Sequence, residues 1–292
     1  MASLKEVKGR IATVNNTRKI TSAMKMVASA KLHKAQGAIT NMLPYERRLH
    51  GLLTNLLGGS EVLVWNTPRE VKRVALVVFS SNSSLCGGFN ANVIKHATQW
   101  LDEYQALGKD NILIYPVGKK VADALSKMGY AIQGNFQHLA DKPSFAEAAE
   151  LAQGLMNLFT RGEVDRVELL YNHFKSTASQ ILTREVYLPM ASEVCHPERS
   201  EGSRVHPQEV DYILEPSREE LLATLLPKVL LMKLYTVLLD SNASEHAART
   251  MAMQIATDNA DDLLQELTLM YNNTRQQAIT NELLDIVGGS MA

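Results

Sequence analysis

Over residues 244 to 292 the apolar positions Met251, Ile255, Leu263, Leu267, Met270, Ile279, Leu283 and Ile286, with Thr274 among them, recur in steps that mostly fit a helical period of about 3.5 to 3.6. The stretch holds no proline, and its only glycines, Gly288 and Gly289, come where a helix is expected to stop. The pattern predicts one long helix with a narrow seam, and a seam that long needs a partner of similar length. The other end of the chain supplies one. Ser3-Leu4-Lys5-Glu6 reads as a capping box. Leu4, Val7, Ile11, Val14, Arg18 and Thr21 follow as a strict heptad, after which the apolar positions shift to Ile20, Met24, Val27 and a run of alanines. Pro44 is expected to kink this helix, which resumes to Leu57 before Gly58-Gly59-Ser60 ends it. At a rise of about 1.5 Å per residue the two terminal helices would span roughly 80 and 90 Å.

Between them the period changes. VALVVFS (74 to 80) and ILIYPVG (112 to 118) are β-branched runs separated by a helical stretch from Ala91 to Leu107. A helix over Lys119 to Met128, a weaker strand near Tyr130 to Gln137, and a helix opened by the capping box Ser144-Phe145-Ala146-Glu147 follow. Strands at 164 to 174 and 180 to 189 close the region. The alternation implies an open, mainly parallel, Rossmann-like α/β sheet covered on both faces, its last strand antiparallel. Residues 190 to 210 are polar and aperiodic, an expected exposed loop. Ser217-Arg218-Glu219-Glu220 starts the final helix, which Pro227 should bend or restart. The domain expectation is a stalk helix over 1–57, a central α/β domain over 58–215 and a second stalk helix over 216–292.

Charge sharpens the pairing. Residues 1 to 50 carry ten Lys or Arg against two glutamates, a net of +8, whereas residues 251 to 292 carry six acids against Arg275, a net of -5. The whole chain is close to neutral at -1, which argues against a generic nucleic-acid binder, and the basic helix has only Tyr45 as an aromatic. With 46% hydrophobic and 21% charged residues the composition is that of a folded soluble protein. Two cysteines without CxxC spacing, Cys86 and Cys195, point to a reducing compartment. The basic start is read as mature protein rather than a presequence, because its apolar pattern runs on into the fold. Pro227, Lys228 and Lys233 interrupt the most hydrophobic run, 221 to 239, and argue against a membrane crossing.

Candidate chemistry is sparse. SSNSSLCGGFN (80 to 90) has the small residues of a phosphate-cradling loop at a strand-to-helix junction but fits neither GxxxxGK[ST] nor GxGxxG. A tight turn with close backbone packing is expected, with Cys86 as a buried structural thiol. Cys195, His196 and His206 fit no zinc spacing, and Glu245-His246 does not complete HExxH. No nucleophile, base and orienter assemble. A structural or mechanical protein is expected, with a nucleotide-binding sheet domain as the competing class.

KITSAMKMVASAKLHKAQ (19 to 36), SLCGGFN (84 to 90) and the segment 244 to 289 resemble the amino-terminal stalk motif, the LCGGLN turn and the carboxy-terminal stalk of the gamma-subunit family of rotary F-type ATP synthases. The resemblance covers the whole chain. It implies that the ends wind into a long antiparallel coiled coil inside the catalytic hexamer of alpha and beta subunits. The central domain would stand beside the epsilon subunit and on the membrane ring of c subunits. It further implies a non-catalytic central rotor shaft without cofactor or metal, coupling proton- or sodium-driven rotation to ATP synthesis on the cytoplasmic side of a bacterial cell membrane. By resemblance Met24, Lys25, Arg275 and Gln276 face the hexamer, Ile279, Thr280, Glu282 and Asp285 belong to the signature near the tip, and Tyr212 and Glu215 meet the ring. Three departures stand out: Asn82-Ser83-Ser84 replaces Asp-Arg-Gly, Ser290 replaces an alanine and Leu214 replaces an aromatic. No long cysteine-bearing insert of the chloroplast type is present, so thiol regulation is not expected.

Overall fold

A computed structural model describes residues 3–57, 69–190, 215 and 217–290. The chain divides into two compact units: residues 31–248, and residues 1–30 together with 249–292.

The larger unit is built on a four-stranded sheet of order β2-β1-β3-β4, comprising β1 (Val74–Phe79), β2 (Ile112–Val117), β3 (Arg166–Phe174) and β4 (Gln180–Leu188). β1 runs parallel to both its neighbours, and β4 is antiparallel to β3. All six residues of β1 are buried, as expected where a central parallel strand is covered on both faces and alternation gives way to a continuous apolar run. Val74, Leu76 and Val78 pack under α2 (Phe89–Glu103) and α3 (Lys119–Lys127) through Val93, Trp100, Val121 and Leu125. Ala75, Val77 and Phe79 face the opposite way, onto α5 (Phe145–Thr160) and the apolar stretch of α6 (Arg218–Ser290). There Leu230, Leu234, Val237 and Leu238 complete the core. Among the described residues α6 holds the one segment long and apolar enough to cross a membrane. Its residues Leu230, Leu234, Val237 and Leu238 are buried in this core, where burial of each contributes about 1.5–3 kcal/mol.

Three local expectations change. The segment near Tyr130 to Gln137 makes only an isolated bridge, Ile132 to Ile114. Gly129 and Gly134 take positive φ on either side of it, and Gln137 opens the short helix α4 (Gln137–Asp141). Ser144 stands at the start of α5 without a side-chain cap, and Glu147, which would complete that box, lies 3.4 Å from His138. The helix after β1 begins two residues early, at Phe89, and ends at Glu103 before a 3₁₀ turn over Gln105–Leu107. The other two caps form: the Ser3 hydroxyl accepts from the Glu6 amide and the Ser217 hydroxyl from the Glu220 amide, each at 3.3 Å.

Both prolines lie inside continuous helices, Pro44 in α1 (Leu4–Leu57) and Pro227 in α6. Packing on either side of each holds the helix against the missing amide. Leu32 and Ala35 of α1 meet Ala243 and Ala247 of α6, and beyond the prolines Leu53 and Leu56 meet Leu222 and Leu226. The two helices are therefore antiparallel in this unit. The Arg218 guanidinium donates from Nε to the Leu56 carbonyl at 2.7 Å, and from Nη2 to the same oxygen, closing a carbonyl left open in the last turn of α1.

The smaller unit consists of residues 4–30 of α1 and 249–290 of α6. Here too the helices run antiparallel, since Arg18 pairs with Asp261 at 2.8 Å while Thr21 meets Thr257 at 2.9 Å.

Candidate functional site

In the smaller unit the α1 side of the seam is the heptad read from sequence: Val7, Thr21 and Ala28 are buried, and Leu4, Ile11, Val14 and Arg18 are half-buried. It does not shift. Ile20 and Val27, expected to continue it, are exposed, and Lys25 and Ala28 carry the same spacing on. On α6 the expected seam is replaced almost entirely. Thr250, Met253, Ala260 and Leu267 are buried, with Thr257, Leu264, Tyr271 and Thr274 half-buried between and beyond them. Of the residues expected there, only Leu267 and Thr274 lie on the observed seam, while Met251, Ile255, Leu263 and Met270 are exposed. Small and hydroxylated residues line the contact because they let two backbones approach closely. The Thr21 and Thr257 hydroxyls lie 2.9 Å apart, so that one donates to the other and the acceptor donates in turn to the carbonyl of its own helix, Arg18 or Met253, and burying them leaves no hydroxyl unmet.

This exchange turns an apolar face outward. Large apolar side chains that stay exposed in number mark a surface meant for a partner. The effect is strongest at the end of α6. The antiparallel register sets the first turn of α1 against Tyr271 and Thr274, so from Arg275 onward α6 runs past the start of α1 among the described residues. Positions 278, 281, 285 and 288, where the heptad would continue, hold Ala, Asn, Asp and Gly, a run without a large apolar residue.

Arg275, Gln276, Ile279, Thr280 and Glu282 are all exposed on this stretch. Arg275, Ile279 and Leu283 follow at steps of four, and Glu282 and Ile286 complete the same side. Ile279 is 50%, Leu283 57% and Ile286 69% exposed. The Thr280 hydroxyl is turned inward along the helix, donating to the Gln276 carbonyl at 2.9 Å. Asp285 lies on the same helix, with its side chain outside the described set. Met24 and Lys25 are half-buried in the smaller unit, beside exposed Met26 and Val27. Glu215 is exposed, whereas Tyr212 lies outside the described residues, as do Cys195, His196, His206 and residues 191–210 of the expected loop. Met26, read from sequence as core or interface filling, is on the outward apolar surface, and sequence reading missed Leu269 and Leu284 there. Their signal was present: each is a large apolar residue off the heptad.

The loop after β1 is filled by its own side chains. The Asn90 carboxamide accepts from the Ser81 amide at 3.1 Å and donates to the Ser81 hydroxyl at 2.8 Å. Asn82 donates to the Gln137 carbonyl and accepts from the Lys119 amide, at 2.7 and 2.9 Å. Cys86 is buried beneath it. At Gly118, φ is +111° and an added Cβ would stand 2.2 Å from the Ser80 carbonyl oxygen, so the β1 and β2 ends meet only because that residue is glycine. Loop and glycine serve packing.

The titratable groups elsewhere are structural. Glu168, on β3, is buried, accepts from the Tyr104 hydroxyl at 2.9 Å and from Arg184 at 3.1 Å, and forms an ion pair with Arg166 at 2.8 Å. Arg184 also meets Glu103 at 2.6 Å and lies over the Trp100 ring. Burial, reinforced by the Glu168 carboxylate, raises the Tyr104 phenol above its ordinary value. Burial does the same to Tyr115, Tyr171 and Tyr187. An open groove of about 540 Å³ lies along α5, floored by Tyr115, Phe136, Leu151 and Leu155. Among the described residues no group of three or more His, Cys, Asp or Glu is placed to hold a metal ion.

A family model described as ATP synthase matches residues 3–292. The ATP synthase gamma chain of Phocaeicola vulgatus is 68% identical over 294 residues, covering 100% of each chain. That of Bacteroides fragilis is 63% identical over 296 residues, again covering 100% of each. Among solved structures, a chain of the Euglena gracilis mitochondrial ATP synthase (OSCP/F1/c-ring) matches with a TM-score of 0.63 at 20% identity, over 99% of this chain and 93% of that one, a likeness of fold.

Proposed function

The chain belongs to the ATP synthase gamma-chain family, and from that membership we propose how its parts divide the work. A gamma chain is a non-catalytic stalk subunit that acts as the rotor shaft of a membrane-bound ATP synthase complex. In our reading the smaller unit stands within the hexamer of alpha and beta subunits, and the sheet domain meets the epsilon subunit and the c-ring on the cytoplasmic side of a bacterial membrane. Ion flow turns the ring and the asymmetric shaft turns with it. Each catalytic site in the hexamer is then driven in sequence through states that differ in nucleotide affinity. Such a shaft needs stiffness, asymmetry and a defined outer surface, and no reacting group of its own.

The observation that carries this reading is the end of α6, where Ile279, Leu283 and Ile286 stay exposed beside Arg275 and Glu282. Apolar contacts are non-directional, so a helix end can turn in an apolar sleeve without breaking a bond at each step. Arg275 and Gln276, at the base of that stretch, offer the directional contacts that would push on a neighbour. Met24 and Lys25 add a half-buried cation on the α1 side. We assign Ile279, Thr280 and Glu282 to the hexamer surface on the same grounds, and, from the family resemblance alone, Asp285 to the hexamer surface and Tyr212 and Glu215 to the ring surface.

Replacing Arg275→Ala and Gln276→Ala together tests the assignment. The isolated chain should fold as before, because both side chains are exposed, while the reconstituted complex should lose torque transfer or assemble more weakly. Full ATP synthesis at unchanged hexamer affinity would show that these two residues are the wrong contacts.

A further inference from the structure

One short piece of α6 is unlike the rest of that helix. Residues 241–247, SNASEHA, are all buried, although five of the seven are polar. A helix hidden all round is normally apolar all round. Here the polar groups are used. The Asp240 carboxylate, just before this run, accepts from the Phe174 amide at 2.8 Å and lies 2.5 Å from His173 Nδ1. The Ser244 hydroxyl donates to the Asn172 carbonyl at 2.8 Å. Asn172, His173 and Phe174 are the last three residues of β3. Between these two anchors the Asn242 carboxamide donates to the Ala140 carbonyl in α4, also at 2.8 Å.

The spacing gives the arrangement its consequence. Residues 240 and 244 share one side of a helix, and residue 242 lies about 200° around the axis from residue 240. The helix is therefore held from two nearly opposite sides, by bonds whose partners are mainly backbone atoms of the sheet domain. Elsewhere in the unit α6 meets the core mainly through leucines and valines, joined by the Tyr187 hydroxyl on the Leu230 carbonyl and by Lys233 against Glu185, and the apolar contacts are indifferent to small rotations of a helix about its axis. Buried, directional bonds are not.

We propose that Asp240, Asn242 and Ser244 are positioning residues that fix the rotational phase of α6 against the sheet domain, so that torque applied to that domain passes along the helix without slip. The proposal rests on the shaft reading. Its signature is a split between two activities of one complex: ATP hydrolysis by the hexamer persists, while ions pumped per ATP hydrolysed fall.

The experiment uses the complete complex reconstituted in sealed vesicles, with hydrolysis measured by phosphate release and pumping by the membrane potential it builds. Asn242→Ala with Ser244→Ala should keep the hydrolysis rate and lower the potential reached per ATP. Ser244→Ala alone, which removes a single oxygen, should lower it less, and Ser244→Thr, which keeps a hydroxyl, should restore it. An assembled double variant with wild-type pumping per ATP overturns the proposal. If the double variant fails to assemble, an unchanged ratio in Ser244→Ala overturns it instead. If the wild-type chain itself gave hydrolysis without any pumping in intact vesicles, the shaft reading would be the one to fall.

Discussion

Replacing Ile279, Leu283 and Ile286 together by alanine should separate docking from folding in this chain. The three side chains are 50%, 57% and 69% exposed, so more than half of their apolar surface is still available to a partner. Full burial of one such side chain is favourable by about 1.5–3 kcal/mol, which leaves about 1 kcal/mol each to be gained on docking, or about 3 kcal/mol for the set. At about 1.4 kcal/mol per factor of ten, the variant Ile279→Ala, Leu283→Ala, Ile286→Ala should bind the hexamer roughly a hundredfold more weakly. Folding should hardly notice, because the positions are exposed and alanine favours helix; the expected change is within about 0.5 kcal/mol. Urea unfolding of the isolated chain gives the second quantity, and titration of labelled chain into hexamer lacking it gives the first. Unchanged hexamer affinity would refute the docking assignment. A shift of the urea midpoint as large as the loss in affinity would show that these residues support the fold instead.

Two further outcomes follow from the larger unit. Glu168→Gln keeps the shape but leaves Arg166 and Arg184 facing a neutral group in a largely buried site; because both guanidiniums keep some access to water, the cost should be about 2 kcal/mol rather than the larger loss seen for fully buried pairs, measurable as a lower urea midpoint at constant slope. The raised phenols of Tyr104, Tyr115, Tyr171 and Tyr187 mean that the folded state holds these protons longer than the unfolded chain does. Their contribution is fully present below the ordinary value of 10.0 and is lost as pH rises through the folded values. Unfolding free energy measured at stepwise higher pH should therefore fall above about pH 10, and a flat profile there would contradict the burial of these rings.

Much of the architecture was legible in the chain alone. The change of period near Arg73 marked the sheet domain, the β-branched runs became β1 and β2, and the heptad beginning at Leu4 is the observed α1 seam. The caps at Ser3 and Ser217 formed as their spacing implied, whereas that at Ser144 did not. Of the residues to which the resemblance pointed, Arg275, Gln276, Ile279, Thr280 and Glu282 are exposed, while the reason for their exposure was not readable from periodicity.

That difference has a physical cause. Local propensity, capping and the spacing of apolar residues are properties of a segment, and they determined most of the helices and strands and that the two ends are long helices. Hydrophobicity along α6 could not say which apolar stripe faces α1 and which faces outward, since both obey the same period. Only the antiparallel register, set by Thr21 against Thr257 and Arg18 against Asp261, decided it. Tertiary packing likewise decided that Pro44 and Pro227 stay inside helices and that the polar run 241–247 is buried, because the compensating contacts come from residues far away in the chain.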